Sequence, residues 1–141
     1  MKLSPHFTLE EAIASQTAAR AGISNDPTLD VTQNMKKAAA GMEQVRAELN
    51  QNLIYVSSWF RCLELNRLLG SKDTSAHVSG FAIDFTCPTY SDVDGVIRKI
   101  IASKIQYQQI IREYDRWVHI AFNGVARQAL IIDNKGTRPF A

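Results

Sequence analysis

Two imidazoles and one carboxylate are the side chains here whose types and spacing could hold a metal ion. His77 and Asp84 stand seven positions apart in Ser75–Phe85, with Gly80 between them. From Phe81 the residues alternate: Phe81, Ile83 and Phe85 are large and apolar, whereas Ala82, Asp84 and Thr86 are small or polar. A period of two predicts a half-buried strand with Asp84 opposite its core side. Gly80 gives the backbone freedom for a turn that folds His77 back towards Asp84. Trp117–Phe122 alternates in the same way and puts His119 on the non-core side of a second strand. Two imidazoles and a carboxylate, with a fourth position left to water, are ligands of the catalytic zinc type. Other divalent ions also suit such a set.

Positioning these residues requires a framework, and the sequence outlines one. Thr8-Leu9-Glu10-Glu11 is a capping box with Phe7 as its staple, opening a helix that runs to about Arg20 and ends by Gly22. A second helix is expected from about Val31 to Asn50, with Met35, Ala39, Met42, Val45 and Leu49 along one face. Leu53–Ser58 reads as a strand, and Arg61 follows it at the mouth of a short helix that Gly70 closes. Pro88 ends the Asp84 strand, and Ser91-Asp92-Val93-Asp94 starts another helix to about Ser103. Three further strands are expected, near 108–114, 117–122 and 128–133, the first two joined by a hairpin turn at Asp115-Arg116. Residues 134–141 lack periodicity and are expected to be a mobile tail beyond a domain of residues 1–133. Helices before and between mainly antiparallel strands predict a single α+β domain with one sheet.

The bulk properties exclude several classes. A chain of 141 residues buries a core without staples, and a net charge of +2 with scattered Lys and Arg argues against nucleic acid. No apolar run reaches the length of a membrane span, and the first residues lack the apolar stretch of a signal peptide. The chain is therefore expected to be made in the cytoplasm and to act as a monomer. Cys62 and Cys87, without C-x-x-C spacing, are expected to be free thiols rather than a disulfide or metal ligands.

The pattern S-x-H-x-x-G-x-A-x-D over Ser75–Asp84, followed by Glu113 and then Trp117-Val118-His119, resembles the D-Ala-D-Ala carboxypeptidase branch of the LAS zinc peptidases. That group includes vancomycin-resistance dipeptidases, phage L-alanyl-D-glutamate endolysins and the amino-terminal domain of Hedgehog. The likeness is greatest to short single-domain phage or prophage forms. It takes in Ser4-Pro5-His6-Phe7-Thr8, Ser15-Gln16-Thr17-Ala18, and Ser58-Trp59-Phe60-Arg61 with Glu64-Leu65-Asn66, so that it runs from about Leu3 to about Ile132.

The resemblance implies one zinc ion held by His77, Asp84 and His119, with Glu113 as the catalytic acid–base. Family members place a glutamate three or six positions before the last histidine; Glu113 fits the longer spacing, Arg116 occupies the shorter one, and Asp115 is a rival. It implies further that Arg61 reads a substrate carboxylate, for which a guanidinium fork is suited, and that Ser75 helps hold the substrate. Trp117 is expected to wall the cleft where some relatives carry a histidine. The implied function is hydrolysis of peptidoglycan stem peptides, either as an L-Ala-D-Glu endopeptidase or as a D-Ala-D-Ala carboxypeptidase, reaching the wall by holin-type release or in a virion. The alternative is a non-catalytic zinc-binding virion or tail module, since Hedgehog holds zinc on this fold while serving as a binding module.

Overall fold

The computed structural model describes residues 1–141. The alternating stretches pair into one six-stranded sheet. Its strands are β3 (Tyr55–Ser58), β4 (Ala82–Thr86), β5 (Gln109–Glu113), β6 (Trp117–Ala121), β7 (Gln128–Asp133) and β8 (Gly136–Pro139), in the order β3-β4-β6-β5-β7-β8. Every pairing is antiparallel except β5 with β7, which is parallel. A small separate hairpin, β1 (Lys2–Ser4) and β2 (Phe7–Thr8), precedes them. With helices α1 (Leu9–Ile13), α2 (Gln16–Ala21), α3 (Leu29–Glu48), α4 (Leu63–Leu68) and α5 (Val93–Ala102), this is the α+β architecture expected, with a mixed sheet.

One face of the sheet is the core. Ile83 and Phe85 of β4, Ile110 of β5, and Val118 and Ile120 of β6 pack with Met35 and Met42 of α3 and Val96, Ile97 and Ile100 of α5. Burying side chains of this size contributes about 1.5–3 kcal/mol each, which is the force that fixes strand phase. That phase sends the odd-even complement, including Asp84 and His119, to the opposite face. The expectation of a half-buried β4 needs correction: Ala82 and Asp84 are buried like Ile83 and Phe85, and His77, His119 and Arg61 all stand against Asp84 on the second face.

Three other expectations change. The helix from Thr8 to about Arg20 is two helices. Ala14 and Ser15 are extended, Ser15 Oγ accepts from the Ala18 amide and so caps α2, and Phe60 N donates to Ala12 O at the end of α1. A serine that can cap competes with helix continuation, and a backbone partner from outside takes over at the break. The capping box and the Gly22 terminus are as expected, with Thr8 and Glu11 reciprocally bonded and Gly22 at φ +69°.

The β5–β6 hairpin turns at Tyr114 and Asp115, both at positive φ (55° and 57°), with Arg116 N donating to Glu113 O. Such geometry matches the right-handed twist of the strands, and no Asn-Gly pair marks it here.

Residues 134–141, expected to be a mobile tail, instead contain β8. Gly136 at φ +103° permits the turn, and Arg138 forks onto Asp133 at 2.9 and 2.8 Å. Phe140 packs against the core and its amide donates to Ala129 O. Both cysteines are free thiols. No helix is long and apolar enough to cross a membrane.

Candidate metal centre

Asp84 and His119 are direct cross-strand partners in the β4–β6 register, with Ser58 beyond Asp84 and Ile111 beyond His119 in the same row. The cross-strand spacing of an antiparallel pair alone brings their side chains into contact. His119 Nδ1 lies 2.9 Å from Asp84 Oδ1. His77 comes from the loop before β4. Gly80, at φ +83°, lets that loop turn against α3, where an added Cβ would lie 2.6 Å from Met35 Cγ.

Trp59 braces the loop twice. Its indole Nε1 donates to Gly80 O at 2.9 Å, and its carbonyl oxygen lies 2.6 Å from His77 Nδ1. A carbonyl only accepts, so Nδ1 carries a proton, and in the neutral ring Nε2 presents a lone pair. That Nε2 faces Asp84 Oδ1 at 3.3 Å. The two imidazole rings meet edge to face at 5.1 Å.

His77, Asp84 and His119 are all buried, and one ligand atom from each lies within 4.8 Å of the others. The arrangement fits a divalent cation on its own terms. In the neutral ring His77 Nε2 and Asp84 Oδ1 are two acceptors facing each other in a buried place, a juxtaposition that a divalent cation between them, or a proton on Nε2, makes favourable. The hydrogen bond from His77 to Trp59 O is also the outer-sphere partner that a metal-ligating histidine typically has.

The surrounding charges are arranged around Asp84. Burial pushes its carboxyl up, but the hydrogen bonds with His119 and His77 and their charges outweigh this and hold it well below the usual carboxylate range. Arg61 Nη2 stands 3.5 Å from the other oxygen, Oδ2. The rest of the guanidinium is engaged as well: Nε donates to Ser58 Oγ at 3.1 Å, and Nη1 to Asn66 Oδ1 and Ser71 Oγ at 3.4 and 3.3 Å. Glu113 Oε1 lies 3.7 Å from His119 Nδ1. Burial, then the negative charge of Asp84, push the Glu113 carboxyl above its ordinary range, against the smaller pull of His119 and Arg61.

A cleft of about 850 Å³ opens beside this cluster. It is lined by Ile111, Glu113, His119, Leu130 and Ile132 of the sheet and by Lys72, Thr74 and Ser75 of the loop, among others. Ser75 Oγ accepts from His77 N at 3.2 Å. Arg61 borders instead a second recess of about 660 Å³, with Ser15, Arg20 and Ser57, which contains none of the three ligands. Trp117 pairs with Glu113 across the hairpin but stacks towards Tyr114 and lines a recess at the hairpin end, not the cleft beside His119.

The structure thus brings His77, Asp84, His119, Glu113 and Arg61 together, sets Ser75 at the cleft wall and places Trp117 apart. Sequence reasoning missed the role of the Trp59 carbonyl, and the Ser58, Asn66 and Ser71 side chains that hold Arg61. A backbone oxygen leaves no mark in a sequence; Ser58 and Asn66 stand in the motifs that carry the resemblance, but nothing in their spacing says that they and Ser71 hold Arg61.

Comparison with curated proteins found no match. The Peptidase M15 family model, by contrast, matches residues 5–121, a span that takes in every one of the clustered residues just described. That match covers most of the 141 residues, and with the buried His-Asp-His cluster it means that this chain belongs to the Peptidase M15 family.

Proposed function

We propose that the protein is a zinc-dependent hydrolase of peptide bonds in peptidoglycan stem peptides, with His77, Asp84 and His119 as the zinc ligands. The observation that carries this reading is Glu113: a half-buried carboxylate, 3.7 Å from His119 Nδ1, that opens onto the same cleft as His119. A purely structural metal site needs no such neighbour. Zinc, when bound at such a centre, lowers the pKa of its water from about 15.7 to near 7 and polarises a carbonyl.

The chain's own residues do the rest. Glu113 takes a proton from the attacking water and returns it to the leaving amine, as one carboxylate can do in turn. The C–N bond breaks, the acyl carbon gains the hydroxyl, and the amine gains the proton. Trp59 O keeps His77 in one tautomer, and Arg61 holds Asp84 Oδ2 so that Oδ1 faces the imidazoles. The loop residues Thr74 and Ser75 offer hydroxyls to a peptide lying along the cleft.

Two cleavages fit this chemistry: scission between L-Ala and D-Glu, and removal of a terminal D-Ala. Mass spectra of defined stem peptides incubated with the zinc-loaded protein, against a chelated control, test the proposal. Zinc-dependent loss of a terminal D-Ala or release of L-Ala supports it and chooses between the two. Intact peptides with zinc still bound contradict it.

A further inference from the structure

The residues lining the cleft beside His119 are short of positive charge. Lys72 is the one lysine or arginine among them, and Glu113 is the one carboxylate. The neighbour that would neutralise Lys72 is committed elsewhere: Asp73 is held by a two-pronged fork from Arg67, with Nε at 3.0 Å and Nη2 at 2.8 Å. Arg67 and Asp73 are both exposed, and no acidic group lies within ion-pair distance of the Lys72 ammonium.

The root of Lys72 is fixed although its side chain reaches into solvent. Its carbonyl oxygen accepts from Asn66 Nδ2 at 2.8 Å and from Ser75 N at 3.0 Å. Asn66 is fully buried and also accepts from Arg61, so the loop carrying Lys72 is tied to the residues that hold Asp84. Meanwhile each of the three guanidinium nitrogens of Arg61 already faces a partner, and Arg61 does not line this cleft. The cation that the resemblance would assign to a substrate carboxylate is therefore occupied, and an unpaired one lines the cleft beside His119.

We infer that Lys72 is the residue that reads a carboxylate of the bound peptide, and that the cleft selects peptides carrying a carboxylate close to the scissile bond over their neutral counterparts. The inference rests on the proposed peptidase reading and deepens it. A lone ammonium acts as a point charge and not as a fork, so its discrimination is modest and declines as salt screens it. A stem peptide offers two such groups, the α-carboxylate of its D-glutamate and the carboxylate of its last D-alanine.

The test measures binding by calorimetry to the zinc-loaded Glu113→Gln protein, which retains the cleft and does not consume the ligand. The probes are L-Ala-γ-D-Glu-L-Lys-D-Ala-D-Ala, the same peptide amidated at the D-glutamate α-carboxyl, and the same peptide amidated at its C-terminus. One amidation is expected to weaken binding about fivefold, the size of a partly exposed ion pair, and thereby to identify the carboxylate. The loss is expected to disappear when Lys72→Ala is added, and to persist with Lys72→Arg.

Three probes of equal affinity, no binding of any of them, or a discrimination that survives Lys72→Ala, would each overturn the inference. Hydrolysis by the unmodified protein, followed in parallel, separates the two claims. Discrimination without hydrolysis leaves Lys72 as a carboxylate reader and removes the peptidase, whereas hydrolysis without discrimination does the reverse.

Discussion

Asp84 divides its carboxylate between two tasks: Oδ1 faces His77 and His119, while Oδ2 faces the Arg61 guanidinium at 3.5 Å. Arg61 is thereby placed to orient a ligand. Arg61→Ala is expected to weaken zinc binding about 10- to 100-fold, the range seen when the outer partner of a metal ligand is removed. Chelator-competition titration measures this directly. Unchanged zinc affinity with only a raised KM would instead make Arg61 a substrate reader.

Metal removal has a stability consequence. Ligand that binds only the folded chain stabilises it by about 2.7 kcal/mol at a hundredfold excess over its Kd. For a domain of this size that corresponds to roughly 5–10 °C in Tm. Thermal unfolding with and without a chelator should show this shift for the natural chain, and Asp84→Asn should lose most of it. An identical Tm in both conditions would mean that no metal binds among His77, Asp84 and His119.

Glu113 makes a pH-dependent prediction for the metal-free protein. Its folded carboxyl holds a proton more tightly than the unfolded chain does, through burial and the charge of Asp84. Ionised Glu113 therefore costs stability; the cost is present above its folded pKa and absent below the ordinary carboxylate range. Glu113→Gln is expected to raise the denaturation midpoint of the metal-free protein near pH 7 and to leave it nearly unchanged near pH 4. A variant less stable at pH 7 would contradict the assigned environment.

Gly80 ties the fold to the site. At φ +83° any side chain is strained, and an added Cβ would approach Met35 Cγ at 2.6 Å and Val31 O at 3.2 Å. Gly80→Ala is expected to cost about 2 kcal/mol or more and to displace the His77 loop, so that zinc affinity falls along with stability. Denaturant unfolding and zinc titration of the same sample check both. Loss of stability with full zinc affinity would show that the loop tolerates the change.

Much of the centre could be read from the chain because strand phase is a strong signal. The alternation of Ile83 and Phe85 with Asp84, and of Val118 and Ile120 with His119, is the pattern that the sheet enforces, and the register then pairs Asp84 with His119. Where the deciding partner was distant or weakly marked, the sequence said little. Ser15 looks like an ordinary helix residue until its hydroxyl is seen capping α2, and β8 is recognisable only once Arg138 meets Asp133. Trp117 has the parity of His119 but sits at the hairpin end, where Tyr114 draws it aside. Lys72, in a polar loop, resembles any solvated lysine; only the capture of Asp73 by Arg67 and the position of the cleft distinguish it.

The central claim is that Glu113 performs proton transfer beside a zinc ion it does not bind. The most direct measurement compares the natural chain with Glu113→Gln for zinc content and for hydrolysis of a stem pentapeptide followed by mass spectrometry. Equal zinc is expected, one ion per chain, with cleavage by the natural chain and a loss of at least about a hundredfold in the variant. Equal cleavage by both proteins, or no cleavage by either while zinc is bound, would contradict it.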